Sequence, residues 1–144
     1  MTIGRILKSK GSDTISARPD DTAEQVAKLL AAHNIGAVLV RSADDAILGI
    51  LSERDIVWAI GRHGEAALKL TASALMSRNM VNCTPDDSVA QVMAVMTNRR
   101  VRHLPVIKDG ALVGIISIGD VVKERIGQAE LEAEHLRAFV AGQA

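Results

Sequence analysis

Two stretches of this chain carry the same pattern. They are Gly49-Ile50-Leu51-Ser52-Glu53-Arg54-Asp55 and Gly114-Ile115-Ile116-Ser117-Ile118-Gly119-Asp120. Each reads glycine, two apolar residues, serine, two variable residues, aspartate. In each, an apolar β-branched run breaks off at serine and a helical pattern starts near the aspartate. Serine and aspartate cap helix N-termini because their oxygens accept from backbone N–H groups that have no partner inside the helix. A helix start after a strand also attracts phosphate, through those N–H groups and the helix dipole. One such stretch reads as an ordinary cap. Two copies in matched surroundings favour a small polar site present twice.

The surroundings do match. Pro19-Asp20-Asp21-Thr22 and Pro85-Asp86-Asp87-Ser88 each precede a helical pattern, with Gln25, Val26, Leu29 and Leu30 in phase with Gln91, Val92, Val95 and Met96. Ile35 to Val40 and Val101 to Ile107 read as buried strands, and Ile47 to Leu51 and Leu112 to Ile116 as their hairpin partners. Ser42 to Asp45 forms the first turn, and Lys108-Asp109-Gly110 the second, since Asp-Gly is a strong hairpin dipeptide. Pro19 and Pro85 lie 66 residues apart and Ser52 and Ser117 lie 65 apart, so one residue is lost in the second hairpin turn. Each unit reads strand, helix, strand, turn, strand, helix. Units this small need each other's apolar surface. Thr2 to Lys10 reads as a leading amphipathic helix, with Ile3, Ile6 and Leu7 on one side. Ile56 to Ile60 continues a helix as far as Gly61 and Gly64. Val121 to Val140 is a long helical tail whose apolar positions exceed what one small unit can cover.

Composition narrows the function. Hydrophobic residues make up 48% of the 144, enough for one compact module, but aromatics are only 1%, Trp58 and Phe139. Stacking platforms for single-stranded nucleic acid are therefore missing. Lys+Arg and Asp+Glu both count 17, which argues against a general polyanion binder and leaves room for a local basic pocket. One cysteine, Cys83, excludes an internal disulfide and a cysteine-based zinc site, and its apolar run marks it as a core residue. His33, His63 and His135 match no metal spacing. No apolar run is long enough to span a membrane and the N-terminus shows no signal-peptide core, so a cytoplasmic location is expected.

These repeats, together with Arg102-His103-Leu104-Pro105-Val106, resemble the CBS domain family, named for cystathionine β-synthase. The chain is similar to a stand-alone bacterial CBS pair, or Bateman module. It would form a single module over residues 1–144, with a first repeat at about 10–63, a second at about 76–126 and a C-terminal helix at about 119–141. The resemblance implies an α/β (α+β) fold of two small three-stranded sheets flanked by helices and related by a pseudo-twofold axis. It further implies two clefts between the repeats that take adenosine-containing ligands: AMP, ADP, ATP, NAD(H) or S-adenosylmethionine. AMP, ADP/ATP or NAD(H) is expected here, in a homodimer read by an unidentified protein target, with no metal, nucleic acid or membrane involved.

In the second-repeat site, Asp120 is expected to accept hydrogen bonds from both ribose hydroxyls. Ser117 lies within reach of ribose or α-phosphate, and Gly119 clears the backbone approach. Arg102 and His103 supply phosphate contacts, helped by Arg100, with Pro105 behind them on the same strand. Lys10, Ser12, Thr14 and Ile15 are the candidates bordering adenine, with Thr14 and Ile15 offering backbone hydrogen bonds to the base edge. Arg99 reads as a solvated charge. In the first-repeat site, Ser52 and Asp55 are kept and Arg54 is within reach of phosphate, but Gly36 and Ala37 stand where the second repeat has Arg102 and His103. Asn79, Met80 and Val81 would border its base. That site either takes a less charged group or stays empty. No nucleophile–base pair, carboxylate cluster or Walker loop supports an enzyme. The remaining rival is a ligand-independent dimerisation module.

Overall fold

The computed structural model describes residues 1–11 and 14–142. In chain order its elements are helix α1 (Ile3–Lys10), strand β1 (Ser16–Ala17), helix α2 (Ala23–His33), strands β2 (Ala37–Arg41) and β3 (Ile47–Ser52) and helix α3 (Glu53–His63). A 3₁₀ turn (Gly64–Lys69) leads to helix α4 (Ala72–Leu75). Helix α5 (Val89–Arg99), strands β4 (His103–Lys108) and β5 (Ala111–Ser117) and helix α6 (Ile118–Val140) complete the chain. They sort into two compact units, Asp13–Met80 and Met1–Ser12 with Val81–Ala144.

The unit Asp13–Met80 holds a three-stranded sheet, with β1 parallel to β2 and β2 antiparallel to β3. Its core joins Val26 and Leu30 from α2, Val38, Val40 and Leu51 from the sheet, Ile56 from α3, and Ala72 and Met76. Helix α2 starts with a complete capping box, Thr22 with Gln25, and ends at Asn34 in the left-handed region (φ 52°). Helix α3 runs through Gly61 and stops at Gly64, which has φ 61°. Gly61 keeps helical dihedrals, and glycine inside a helix costs only about 1 kcal/mol.

The other unit holds the antiparallel hairpin β4–β5, in which His103 pairs with Ser117 and Leu104 with Ile116. Asp109 (φ 51°) and Gly110 (φ 78°) form its turn, both with the positive φ that a type I′ turn requires. The expected third strand here is a single parallel bridge from Cys83 to Val106, so this sheet has two strands rather than three. The Cys83 N–H donates to the Pro105 carbonyl at 3.0 Å, and the Ile107 N–H donates to the Cys83 carbonyl at 2.8 Å. Cys83 is buried with Ile3, Leu7, Val92, Met96, Leu104, Val106 and Ile116. Burial pushes its thiol pKa up to about 11, with a lesser push from the Asp87 charge, so it stays a neutral core group.

The leading helices repeat as well, which residues 64–75 had not suggested. In one unit the Thr2–Ser88 bridge joins the start of α1 to the start of α5; in the other, the Thr22–Thr71 bridge joins α2 to α4. The supporting bonds correspond one to one. Ile3 N–H donates to the Asp87 carbonyl and Gly4 N–H to Pro85; Ala72 N–H donates to Asp21 and Ser73 N–H to Pro19. Thr2–Leu7 is thus a structural copy of Thr71–Met76. Glycine makes room for each copy: a Cβ on Gly114 would lie 2.7 Å from Leu7 Cδ2, and one on Gly49 would lie 2.7 Å from Met76 Sδ.

Candidate functional site

Both Ser-x-x-Asp stretches fold into strand-to-helix junctions of one design. Ser117 ends β5 and caps α6: its Oγ accepts the Asp120 N–H at 3.1 Å, and Asp120 Oδ2 accepts the Ser117 N–H at 2.9 Å. Ser52 ends β3 and caps α3 in the same reciprocal way, with 3.3 and 2.9 Å. The Ser52 hydroxyl also donates to Asp55 Oδ2 at 2.9 Å. The next residue ties each junction to the neighbouring strand. Ile118 N–H donates to the Arg102 carbonyl at 2.8 Å, and Glu53 N–H to the Gly36 carbonyl at 2.9 Å. Ala37 pairs with Ser52 as His103 pairs with Ser117. Gly36-Ala37 and Arg102-His103 therefore hold equivalent places beside the two carboxylates.

The two junctions differ in charge. At Asp120, Lys10 from the last turn of α1 places Nζ 2.6 Å from Oδ2 and donates a second bond to the Ile115 carbonyl at 2.9 Å. Burial pushes the Asp120 carboxyl up, but the Lys10 hydrogen bond, the Ser117 N–H, the Lys10 charge and the Ser117 hydroxyl outweigh it. The group sits below its ordinary value of 3.8. Asp55 meets no cation within ion-pair distance among the described residues. Its neighbour Arg54 instead lies over the Trp58 ring, 5.7 Å from the centroid.

Asp120 Oδ2 already accepts from Ser117 and Lys10, and Asp55 Oδ2 from the N–H and hydroxyl of Ser52. Each carboxylate keeps Oδ1 for an incoming hydroxyl, among the described residues. A ribose that engages both oxygens of either carboxylate needs one Oδ2 partner to leave.

Of the expected second-repeat residues, Lys10, Arg100, Arg102, His103, Pro105, Ser117, Gly119 and Asp120 fall in the unit of β4 and β5. Arg102 is exposed just before β4, and His103 opens that strand half-buried. Arg100 is the left-handed C-cap of α5 (φ 54°), and Pro105 is buried inside β4. A Cβ on Gly119 would meet only Ser117 Oγ, at 3.6 Å, so packing does not require a glycine there. Lys10 lies on Asp120, because α1 packs through Leu7 against Gly114 and carries Lys10 one turn further along the same face. Thr14 and Ile15 belong to the other unit, just ahead of β1, and Ser12 lies outside the described residues. Asn79 and Met80 fall in the unit of Asp55, and Val81 in the other. Ser77 was missed: it pairs with Ile50 on the open side of β3, N–H to carbonyl at 2.9 and 3.0 Å. The likeness of Thr2–Leu7 to Thr71–Met76 was the signal that would have aligned Ser77 with the end of α1.

The CBS-domain model matches residues 9–62 and 72–127. The chain belongs to the CBS-domain family. A crystal structure of the CBS-domain containing protein ATU1752 from Agrobacterium tumefaciens is 44% identical with a TM-score of 0.85, covering 86% of this chain and 92% of that one. The mitochondrial CBS domain-containing protein CBSX3 of Arabidopsis thaliana is 33% identical over 98% of this chain and 72% of its own length. The CBS domain pair of protein MJ0100, solved in complex with 5′-methylthioadenosine and S-adenosyl-L-methionine, is 25% identical with a TM-score of 0.79, covering 89% and 98%. A CBS pair is a regulatory module, and CBS-domain proteins are in general non-catalytic. Among the described residues no group of three His, Cys, Asp or Glu is placed to hold a metal ion, and no helix is long and apolar enough to cross a membrane.

Proposed function

We propose that this CBS pair is a non-catalytic sensor of adenosine nucleotides, with AMP, ADP, ATP or NAD(H) as ligand and the Asp120 junction as its phosphate-binding site. The observation that carries this is the asymmetry of two junctions built on the same reciprocal cap. Arg102-His103 stands beside Asp120 where Gly36-Ala37 stands beside Asp55. A ribose needs the carboxylate and a phosphate needs fixed donors; the Asp120 junction has a basic pair at the strand end, whereas the Asp55 junction has Arg54, which lies over the Trp58 ring. Ligand acts by binding one conformation more tightly than another, which a partner protein reads. The complex of MJ0100 with two adenosine compounds supports the ligand class.

The test is titration calorimetry with AMP and adenosine. AMP binds more tightly than adenosine to the wild type. Arg102→Ala costs AMP affinity by about 1.5–3 kcal/mol, the range for a hydrogen bond to a charged group, and adenosine far less. Equal losses for both ligands make Arg102 structural and withdraw its phosphate role.

The working form in this reading is a homodimer. Helix α6 exposes Ile126, Leu131, Leu136, Phe139 and Val140, an apolar set that its own unit leaves uncovered. Light scattering of the purified chain gives a dimer, and a chain ended after Ile126 associates more weakly. A monomer at high protein concentration overturns the assembly.

A further inference from the structure

We propose that Lys10 is a resident counter-ion of the Asp120 site: it closes the carboxylate in the ligand-free chain and passes to the phosphate when a ribose takes its place. This rests on the nucleotide-sensor reading and adds the device that selects a phosphorylated ligand over a neutral nucleoside.

Oxygen Oδ2 of Asp120 is saturated by the Ser117 N–H and the Lys10 ammonium, so a ribose that engages both carboxylate oxygens must evict one of them. The Ser117 N–H belongs to the backbone at the strand end and cannot leave without breaking the cap of α6. Lys10 can leave. Its ammonium rides on a flexible four-carbon stem with a third of the side chain exposed.

The other unit shows that Lys10 is not needed to complete the strand. Ile50 and Ile115 each lie two residues before the capping serine. The Ile50 carbonyl takes the backbone N–H of Ser77 at 2.9 Å, whereas the Ile115 carbonyl takes Lys10 Nζ at 2.9 Å. Where α4 ends at Leu75 and the backbone turns in to pair with Ile50, α1 continues to Lys10 and delivers a mobile charge instead. Leu7 seated against Gly114 fixes that delivery.

The energetics follow from what each ligand returns. Adenosine breaks the Lys10–Asp120 pair and offers the ammonium nothing. AMP breaks the same pair and gives the ammonium a phosphate of higher charge. A cationic adenosine compound is worse placed than adenosine, since it meets a released ammonium. Lys10 thus acts on specificity mainly by penalising ligands without a phosphate.

Calorimetry of adenosine and AMP on the wild type, Lys10→Met and Lys10→Arg tests this, since methionine keeps most of the aliphatic stem. Lys10→Met is expected to bind adenosine about two- to fivefold more tightly, the equivalent of losing a partly exposed ion pair. It binds AMP no more tightly, so the preference for AMP collapses. Lys10→Arg keeps that preference. A Lys10→Met chain that binds adenosine no better than the wild type overturns the proposal while leaving the nucleotide site intact. A wild type that binds neither compound overturns the site reading and the hand-over with it. A ligand-free arm judges the pair itself: by carboxyl NMR, Asp120 titrates higher in Lys10→Met than in the wild type. Identical titration overturns the counter-ion.

Discussion

Asp120→Ala is expected to weaken AMP binding by about 1.5–3 kcal/mol, the range for hydrogen bonds to a charged group, and Asp55→Ala to weaken it less. Both substitutions remove the carboxylate half of a capping box, at about 1 kcal/mol each, and Asp120→Ala also loses the Lys10 ion pair. Urea unfolding of both variants measures that stability difference apart from the ligand effect that calorimetry reads. Asp120 has the larger role because Arg102 and His103 flank it and Lys10 stands ready beside it. Asp55 has only Gly36 and Ala37 at the matching places. The same carboxylate shapes acid stability. A folded-state pKa held below 3.8 means that Asp120 contributes stability above that value and loses it as pH falls through the lower folded one. Asp120→Ala lacks that part of the acid limb in urea titrations below about pH 4. Equal losses of AMP affinity in the two variants would show that the junctions are ranked wrongly.

Gly49→Ala is expected to destabilise the chain by about 1–3 kcal/mol, the usual cost of overpacking, and Gly114→Ala by less. Both glycines open the Ser-x-x-Asp stretches, and both lie under a leading helix copy. At Gly49 a Cβ would stand 2.7 Å from the Ser77 carbonyl oxygen as well as 2.7 Å from Met76 Sδ. That carbonyl is held by its hydrogen bond to Ile50 N–H at 3.0 Å and cannot withdraw without opening the pairing. At Gly114 the close atoms are Leu7 side-chain carbons, which a rotamer change moves. Urea unfolding of the two variants measures the order, and a Gly114→Ala cost exceeding that of Gly49→Ala would refute this account.

Much of the fold was legible in the residues. Alternation and capping chemistry are local, and they placed the starts of α3 and α6 at Ser52 and Ser117 and the hairpin turn at Asp109-Gly110. The buried face Ile3, Ile6, Leu7 was readable for the same reason. Gly61 misled because a glycine stops a helix only where the backbone takes positive φ, which happens at Gly64. The third strand of the second sheet, which the resemblance implied, is a single bridge at Cys83; an extended apolar run does not reveal how many of its residues meet a partner.

The candidate site divides along the same line. The two Ser-x-x-Asp junctions, and the basic pair at only one of them, are local features, since a cap and its aspartate are three residues apart and the repeat supplies the comparison. Long-range packing joins Met1–Ser12 to Val81–Ala144 rather than to the chain that follows them. It also puts Lys10 on Asp120, a contact across 110 positions. Periodicity shows that α1 has a face to bury but not which sheet receives it. That choice is made by a gap the size of a missing Cβ at Gly114, into which Leu7 fits, and the charge that follows Leu7 by one turn arrives at the carboxylate as a result.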